Sequence, residues 1–167
     1  MSSPVSNFAI AVPDDEAMRQ VWHILSMRYG LFPREGMGLL GEWFQQNPDE
    51  TSESLKDHLL SGKILIRDGK LRDLRQISQA QMKQLVALLT GENGVEIKDR
   101  WYLARCYPRC FIGQEAVSCI QHTYSISRAE ALRLGQLLAE NRILRHVLDE
   151  HSFKDEALFY RFHGVGA

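Results

Sequence analysis

Apolar residues recur at helical spacing through the first part of the chain. Met18, Val21, Trp22, Leu25 and Tyr29 form one stripe, Asp14, Asp15 and Glu16 suit the positive N-terminal end of a helix, and Gly30 is its stop. After Pro33, Arg34 to Gln46 reads as a second helix, although Gly36, Gly38 and Gly41 each lower helix propensity by about 1 kcal/mol relative to Ala. Those glycines either permit close helix packing or leave the helix poorly formed. Asn47-Pro-Asp-Glu is a turn, and Thr51 or Ser52 caps a third helix that carries Leu55, Leu59 and Leu60 and ends at Gly62. Lys63 to Leu71 contains Asp68-Gly69, the dipeptide favoured where both positions of a two-residue hairpin turn need positive φ. Ahead of all this, Asn7 to Val12 reads as a short edge strand or an ordered tail closed by Pro13.

The second half opens with a Ser78-capped helix whose stripe is Met82, Leu85, Val86 and Leu89, followed by the turn Gly91-Glu-Asn-Gly94. Val95 to Gly113 reads as extended until Pro108. A helix then places Ala116, Val117 and Ile120 on one face, with Gln121 and His122 at its polar end. Ser127 and Glu130 have capping-box spacing for a further helix, in which Ala131, Leu134 and Leu138 point inward while Arg133, Gln136 and Glu140 face out. Asn141 is the expected stop. Ile143–Val147 and Leu158–Phe162 read as two strands of a hairpin around the charged loop Asp149 to Glu156.

The fold class expected is therefore mainly α with short β-hairpins. A boundary between Asp73 and Ser78 divides it into a helical subdomain, residues 1–75, and a second domain, residues 76–167. The first part runs helix, helix, helix, hairpin, which is the order of a winged helix. Laying Trp22 on Trp101 also lays Phe32 on Phe111, Leu55 on Leu134 and Leu59 on Leu138, a weak internal likeness that any two helical domains can show.

Composition narrows the class. The chain has 167 residues, a charged fraction of 25% and a formal net charge of −1, so a soluble globular protein is expected and a charge-driven nucleic-acid binder is not. No apolar run approaches the roughly 18 residues that span a bilayer, and the opening Met1-Ser-Ser-Pro lacks the basic and apolar regions of a secretory signal. Three cysteines, Cys106, Cys110 and Cys119, fit reduced thiols in a cytoplasm. Enzyme signatures are absent: there is no phosphate-binding Gly-Lys loop, no His-Glu-x-x-His and no nucleophile elbow, so no catalytic residues are expected.

Several blocks carry a resemblance. D-R-W-Y-L from Asp99, Y-P-x-C-F-I-G from Tyr107, S-R-x-E-A from Ser127 and H-V-x-D-E-H-x-F-K-D from His146 to L-F-Y-R-F ending at Phe162 resemble the DEP domain named after Dishevelled, Egl-10 and pleckstrin, over about Ser78 to Phe162. The resemblance implies a DEP-type winged helix of three helices with a β-arm between the first two and a short wing. It also implies a non-catalytic module that places signalling proteins at membranes or on receptor tails. In Dishevelled-like members the arm presents a lysine to a receptor or acidic lipid; here Ala104 holds that point, with Arg105 beside it. His151 matches the family pattern in the wing. The Cys106, Cys110, Cys119 and His122 set could supply zinc donors, but Cys110 and Cys119 fall where small buried side chains belong, so no metal or cofactor is expected.

The arm is the candidate contact surface. Lys98, Arg100, Arg105 and Arg109 interleave with Trp101, Tyr102 and Tyr107, a pattern suited to anionic phospholipid because cations meet phosphate while amphipathic rings settle at the interface. A plainer alternative makes Trp101, Leu103 and Phe111 core and pairs Asp99 with a local arginine. The partners expected are a protein or receptor tail and anionic phospholipid, at the cytoplasmic face of a membrane, with homodimerisation by exchange of the first DEP-like helix as a second expectation. A winged helix also admits DNA reading by the Ser127 helix through Arg128, Arg133 and Gln136. The acidic Asp149–Glu156 loop opposes that reading, because carboxylates repel phosphates.

Overall fold

The computed structural model describes residues 12–163, so the expected strand at Asn7–Val12 lies outside the described residues save for Val12. Two compact units divide the chain, Met1–Leu74 and Arg75–Ala167.

In the first unit three helices, α1 (Glu16–Tyr29), α2 (Pro33–Gln46) and α3 (Ser52–Ser61), precede a hairpin of β1 (Ile64–Arg67) and β2 (Lys70–Asp73). The Asp15 carboxylate accepts the Met18 N–H at 2.8 Å, and Thr51 Oγ1 accepts the Ser54 N–H at 3.1 Å, so both helices start on the polar residue the pattern marks. Gly30 and Gly62 end α1 and α3 in the left-handed conformation, with φ of 62° and 77°. Asp68 and Gly69 both have positive φ, as the two-residue turn demands. The core joins Met18, Val21, Leu25, Leu40, Leu55, Leu59 and Ile64. Leu60, expected on the buried stripe of α3, is exposed, because Leu55 and Leu59, four residues apart, share the buried face and Leu60 lies about 100° round the helix from Leu59. The glycines of α2 divide by role. A Cβ on Gly36 would sit 2.8 Å from the Trp22 ring, whereas one on Gly38 would meet nothing.

The second unit runs α4 (Gln79–Thr90), β3 (Lys98–Tyr102), β4 (Arg105–Ile112), α5 (Gly113–Tyr124), α6 (Arg128–Glu140), β5 (Leu144–His146) and β6 (Phe159–Phe162). Ser78 Oγ accepts the Gln81 N–H and Ser127 Oγ the Glu130 N–H, both at 3.1 Å, fixing the starts of α4 and α6. The strands form one antiparallel sheet in the order β3-β4-β6-β5. Thus β6 pairs with β5 as expected of the wing, and also with β4 through Phe111 opposite Tyr160 and Ile112 opposite Phe159. The core gathers Leu85, Leu89, Phe111, Val117, Ile120, Leu138, Leu144, Phe153 and Tyr160.

Two expectations for this unit are corrected. The extended segment does not stop at Pro108 but continues to Ile112, because a bulge sets Pro108 and Arg109 opposite the single residue Asp99 and absorbs the missing proline N–H. Arg133 does not face out: it is 3% exposed, with its guanidinium bonded to both Glu140 carboxylate oxygens at 2.7 and 3.2 Å and to the Arg75 carbonyl at 3.4 Å. Those partners neutralise and solvate the charge, which is what permits its burial.

Two buried features hold the wing. Tyr160 donates its hydroxyl to the Ser152 carbonyl at 2.7 Å and accepts the Lys154 N–H at 3.0 Å. His146, which is 6% exposed, accepts the N–H groups of Leu148 at 3.2 Å and Glu150 at 3.4 Å on Nδ1. Burial and the adjacent His151 hold the His146 imidazole below its ordinary value, while Glu150 and Asp149 pull the other way.

The packing of the two units and the buried His146 give three predictions. Gly135→Ala places a Cβ about 2.1 Å from the Phe153 ring, so it should destabilise the unit by about 1–3 kcal/mol in urea melts. Gly38→Ala, entering open space, should instead stabilise by about 0.5–1 kcal/mol. His146 is held neutral in the fold and titrates near 6.5 when unfolded. Its contribution to stability is therefore complete above about pH 6.5 and is lost as pH falls through the lower folded value. NMR should show its ring titrating below its ordinary value, and an unchanged titration would refute this.

Candidate functional site on the arm hairpin

Strand pairing decides which arm residues share a face. Arg100 lies opposite Tyr107 and Tyr102 opposite Arg105, so these four occupy one face of the hairpin, while Trp101 and Cys106 occupy the other. On the first face Tyr102 and Tyr107 both meet the Phe159 ring edge-on, with centroids 6.5 and 5.9 Å away. The Arg105 guanidinium stands 5.5 Å from the Tyr107 centroid, close enough for a cation–π contact. The Arg100 guanidinium donates to the Glu96 carbonyl at 2.9 Å and to the Cys110 carbonyl at 3.5 Å, which ties it along the base of the arm. Lys98 forms an ion pair with Glu96 at 3.3 Å. Arg109 sits in the bulge with φ of 49°, and its N–H donates to the Asp99 carboxylate at 2.9 Å.

The six residues marked from the sequence thus do not make one continuous surface. Arg100, Arg105 and Tyr107 come together, Trp101 is turned away from them, Lys98 is paired within its own strand region, and Arg109 belongs to the bulge. The core alternative is divided: Phe111 is buried, whereas Trp101 is 71% and Leu103 84% exposed. With Tyr102 at 60%, these three adjacent residues form an apolar tip.

Leu103 and Ala104 close the arm with φ of 51° and 63°. Asn-Gly or Asp-Gly makes such a turn without penalty, and left-handed backbone costs other residues about 1–2 kcal/mol each. The chain holds its most exposed leucine in a conformation that leucine disfavours. Sequence reasoning missed this apex, since nothing in Leu-Ala signals a turn. It also missed Phe159, which belongs to a strand more than fifty residues further along and meets Tyr102 and Tyr107 only through the fold.

The alternative reading helix is committed elsewhere. Arg128 makes a two-pronged pair with Asp155 at 2.6 and 2.7 Å and also donates to Ser118 and Gln121, while Arg133 is buried against Glu140. Among the described residues no group of His, Cys, Asp or Glu is arranged to hold a metal ion. Burial raises the thiol values of Cys110 and Cys119, and Arg100 partly offsets this at Cys110. No described helix is long and apolar enough to cross a membrane.

Residues 94–162 match the family model described as the domain found in Dishevelled, Egl-10 and pleckstrin. Over 95 residues, 56% of the chain, it is 46% identical to the human phosphatidylinositol 3,4,5-trisphosphate-dependent Rac exchanger 2 protein and 36% identical to the mouse Rac exchanger 1 protein. Over 126 residues, 70% of the chain, it is 28% identical to the vacuolar membrane-associated protein iml1 of Aspergillus terreus. These matches span only 6–7% of the length of those relatives. With the arm, α5, α6 and the wing in family order, the stretch from 94 to 162 is a DEP domain, a signalling module for membrane targeting or protein interaction.

Proposed function

We propose that this DEP domain is a non-catalytic module that brings its protein to the anionic face of a membrane, with the arm hairpin as the first contact. The observation that carries this reading is the exposed Trp101-Tyr102-Leu103 tip held out on a strained turn beside Arg105. An apolar apex enters the acyl boundary while cations behind it meet headgroup phosphates. Relatives named for phosphatidylinositol 3,4,5-trisphosphate dependence and for vacuolar membrane association support the same direction.

Magnitudes set how strong such a contact is. Lys98, Arg100, Arg105 and Arg109 stand against Glu96 and Asp99, so the arm carries two net positive charges, about 2 kcal/mol near an anionic surface. Burying Leu103 adds about 1.5–3 kcal/mol. The total of about 3.5–5 kcal/mol corresponds to affinity of the order of a millimolar. The arm alone biases location, and stable recruitment takes a second contact from a protein.

Sedimentation with phosphatidylserine vesicles tests the reading. Leu103→Asp should weaken binding at least tenfold and Arg105→Glu about tenfold, with all binding falling as salt rises. Replacing Leu103-Ala104 by Asn-Gly should separate stability from function: the melting temperature rises because the turn is relaxed, while vesicle binding falls. If the Asn-Gly chain binds as the native chain does, the apex is not the contact.

A further inference from the structure

A groove of about 540 Å3 runs between α4 and the turn that joins α6 to β5, within the roughly 300–1,000 Å3 of ligand pockets. Its apolar lining is Met82, Val86 and Ile143, which are half-buried and pack against the core of this unit. Met82 and Val86 stand four positions apart on α4 and share one helix face, with Lys83 beside them. The basic lining is Lys83 on the α4 wall, with Arg142 and His163 from the other wall. Among the described residues no carboxylate lines the groove, and neither Lys83 nor Arg142 makes an ion pair.

Arg142 stands there at a conformational cost. The end of α6 folds back so that the Arg142 N–H donates to the Ala139 carbonyl and the Ile143 N–H to the Leu138 carbonyl, both at 2.9 Å. Such a turn needs left-handed backbone at Arg142, whose φ is 60°, and glycine is the residue that usually supplies it. The turn packs Ile143 against the core and leaves Arg142 exposed. An arginine kept where glycine fits more easily, with its charge unmatched, marks a side chain retained for an outside contact.

We propose that the groove docks an acidic segment of a partner protein, which seats apolar side chains on Met82, Val86 and Ile143 and brings carboxylates to Lys83 on one wall and Arg142 on the other. Charge complementarity selects this occupant, because both walls are basic and the lining between them is apolar. A neutral segment would leave both cations unmatched, and a basic one would be repelled. A lipid carries its phosphate at one end of its acyl chains, so it meets one wall and not both. The arm meets the start of β6, at Phe159, whereas the groove lies beyond the end of that strand, at His163. The groove thus supplies the protein contact that the arm's weak membrane affinity calls for, and it stands whether or not the arm touches lipid.

The test uses the 167-residue chain and blocked peptides followed by methyl NMR: Glu-Leu-Glu-Glu-Leu-Glu, a counterpart with each Glu replaced by Gln, and one with each Leu replaced by Ala. The first should shift the Met82, Val86 and Ile143 methyl resonances and bind about tenfold tighter than either counterpart, with its advantage over the Gln peptide shrinking as salt rises. Lys83→Glu, on the exposed surface of α4, should weaken the acidic peptide about tenfold. Arg142→Gly should weaken it about fivefold and yet raise the melting temperature, because the turn relaxes, so misfolding cannot explain the loss. No binding, equal binding of the acidic and Gln peptides, shifts confined to the arm, or unchanged affinity in either variant would overturn the proposal. So would dodecyl phosphate that binds the same methyls more tightly than the acidic peptide, since the occupant would then be lipid. The chain's own exposed Leu148, Asp149 and Glu150 carry the proposed chemistry, so groove shifts that grow with protein concentration alone would make the occupant a second copy and also overturn it. Sedimentation with phosphatidylserine vesicles reads the arm separately: peptide capture without vesicle binding sinks the membrane reading alone, and vesicle binding without peptide capture sinks this proposal alone.

Discussion

The seat of Tyr160 against Gly113 fixes the architecture of the DEP unit. A Cβ on Gly113 would lie 2.6 Å from that ring, so the strand-to-helix junction of β4 and α5 can close only where no side chain intervenes. With the ring in place, the hydroxyl reaches the backbone of Ser152 and Lys154 and holds the irregular wing loop. The same residue belongs to β6, the strand that joins the wing to the arm. Phe153, carried by the held loop, then fills the space above Gly135 on α6. Two missing side chains and one phenol thus position the arm relative to the helices.

Strain is placed selectively on this frame. The hairpin of the first unit uses Asp68-Gly69 for its two-residue turn, whereas the arm uses Leu103-Ala104 for a turn of the same handedness. At helix ends the contrast repeats, for Gly30 and Gly62 close α1 and α3 in left-handed backbone while Arg142 adopts it, with φ of 60°, after α6. In the first unit the residues match local preference. In the second, Leu103, Ala104 and Arg142 do not, so tertiary context overrides local preference there.

Much of this was legible because caps and turns are local chemistry. Ser78, Ser127, Thr51, Gly30, Gly62 and Asp68-Gly69 punctuate the chain where their side chains or φ preferences require. What escaped was non-local. Pairing of β4 with β6 joins residues about fifty positions apart, and no period within either strand encodes it. Arg133 read as surface because a guanidinium usually is, and its burial depends on Glu140 two helical turns away and on a backbone carbonyl outside the helix. His146 was one of several scattered histidines until the fold set its Nδ1 against two N–H groups. The arm was recognisable by composition, but its division into two faces came only from the register.

The bulge at Asp99 has a consequence for solubility. A hairpin that carries an exposed apolar tip invites other chains to add strands along its sides, the usual route to edge-to-edge aggregation. Here Pro108 removes one donor from the ladder, Arg109 turns its backbone away from regular extension to bond Asp99, and Arg161 caps the Pro108 carbonyl at 3.1 Å. A strand arriving on the β4 side finds no continuous row of partners, so that flank of the arm resists strand addition although its end is apolar.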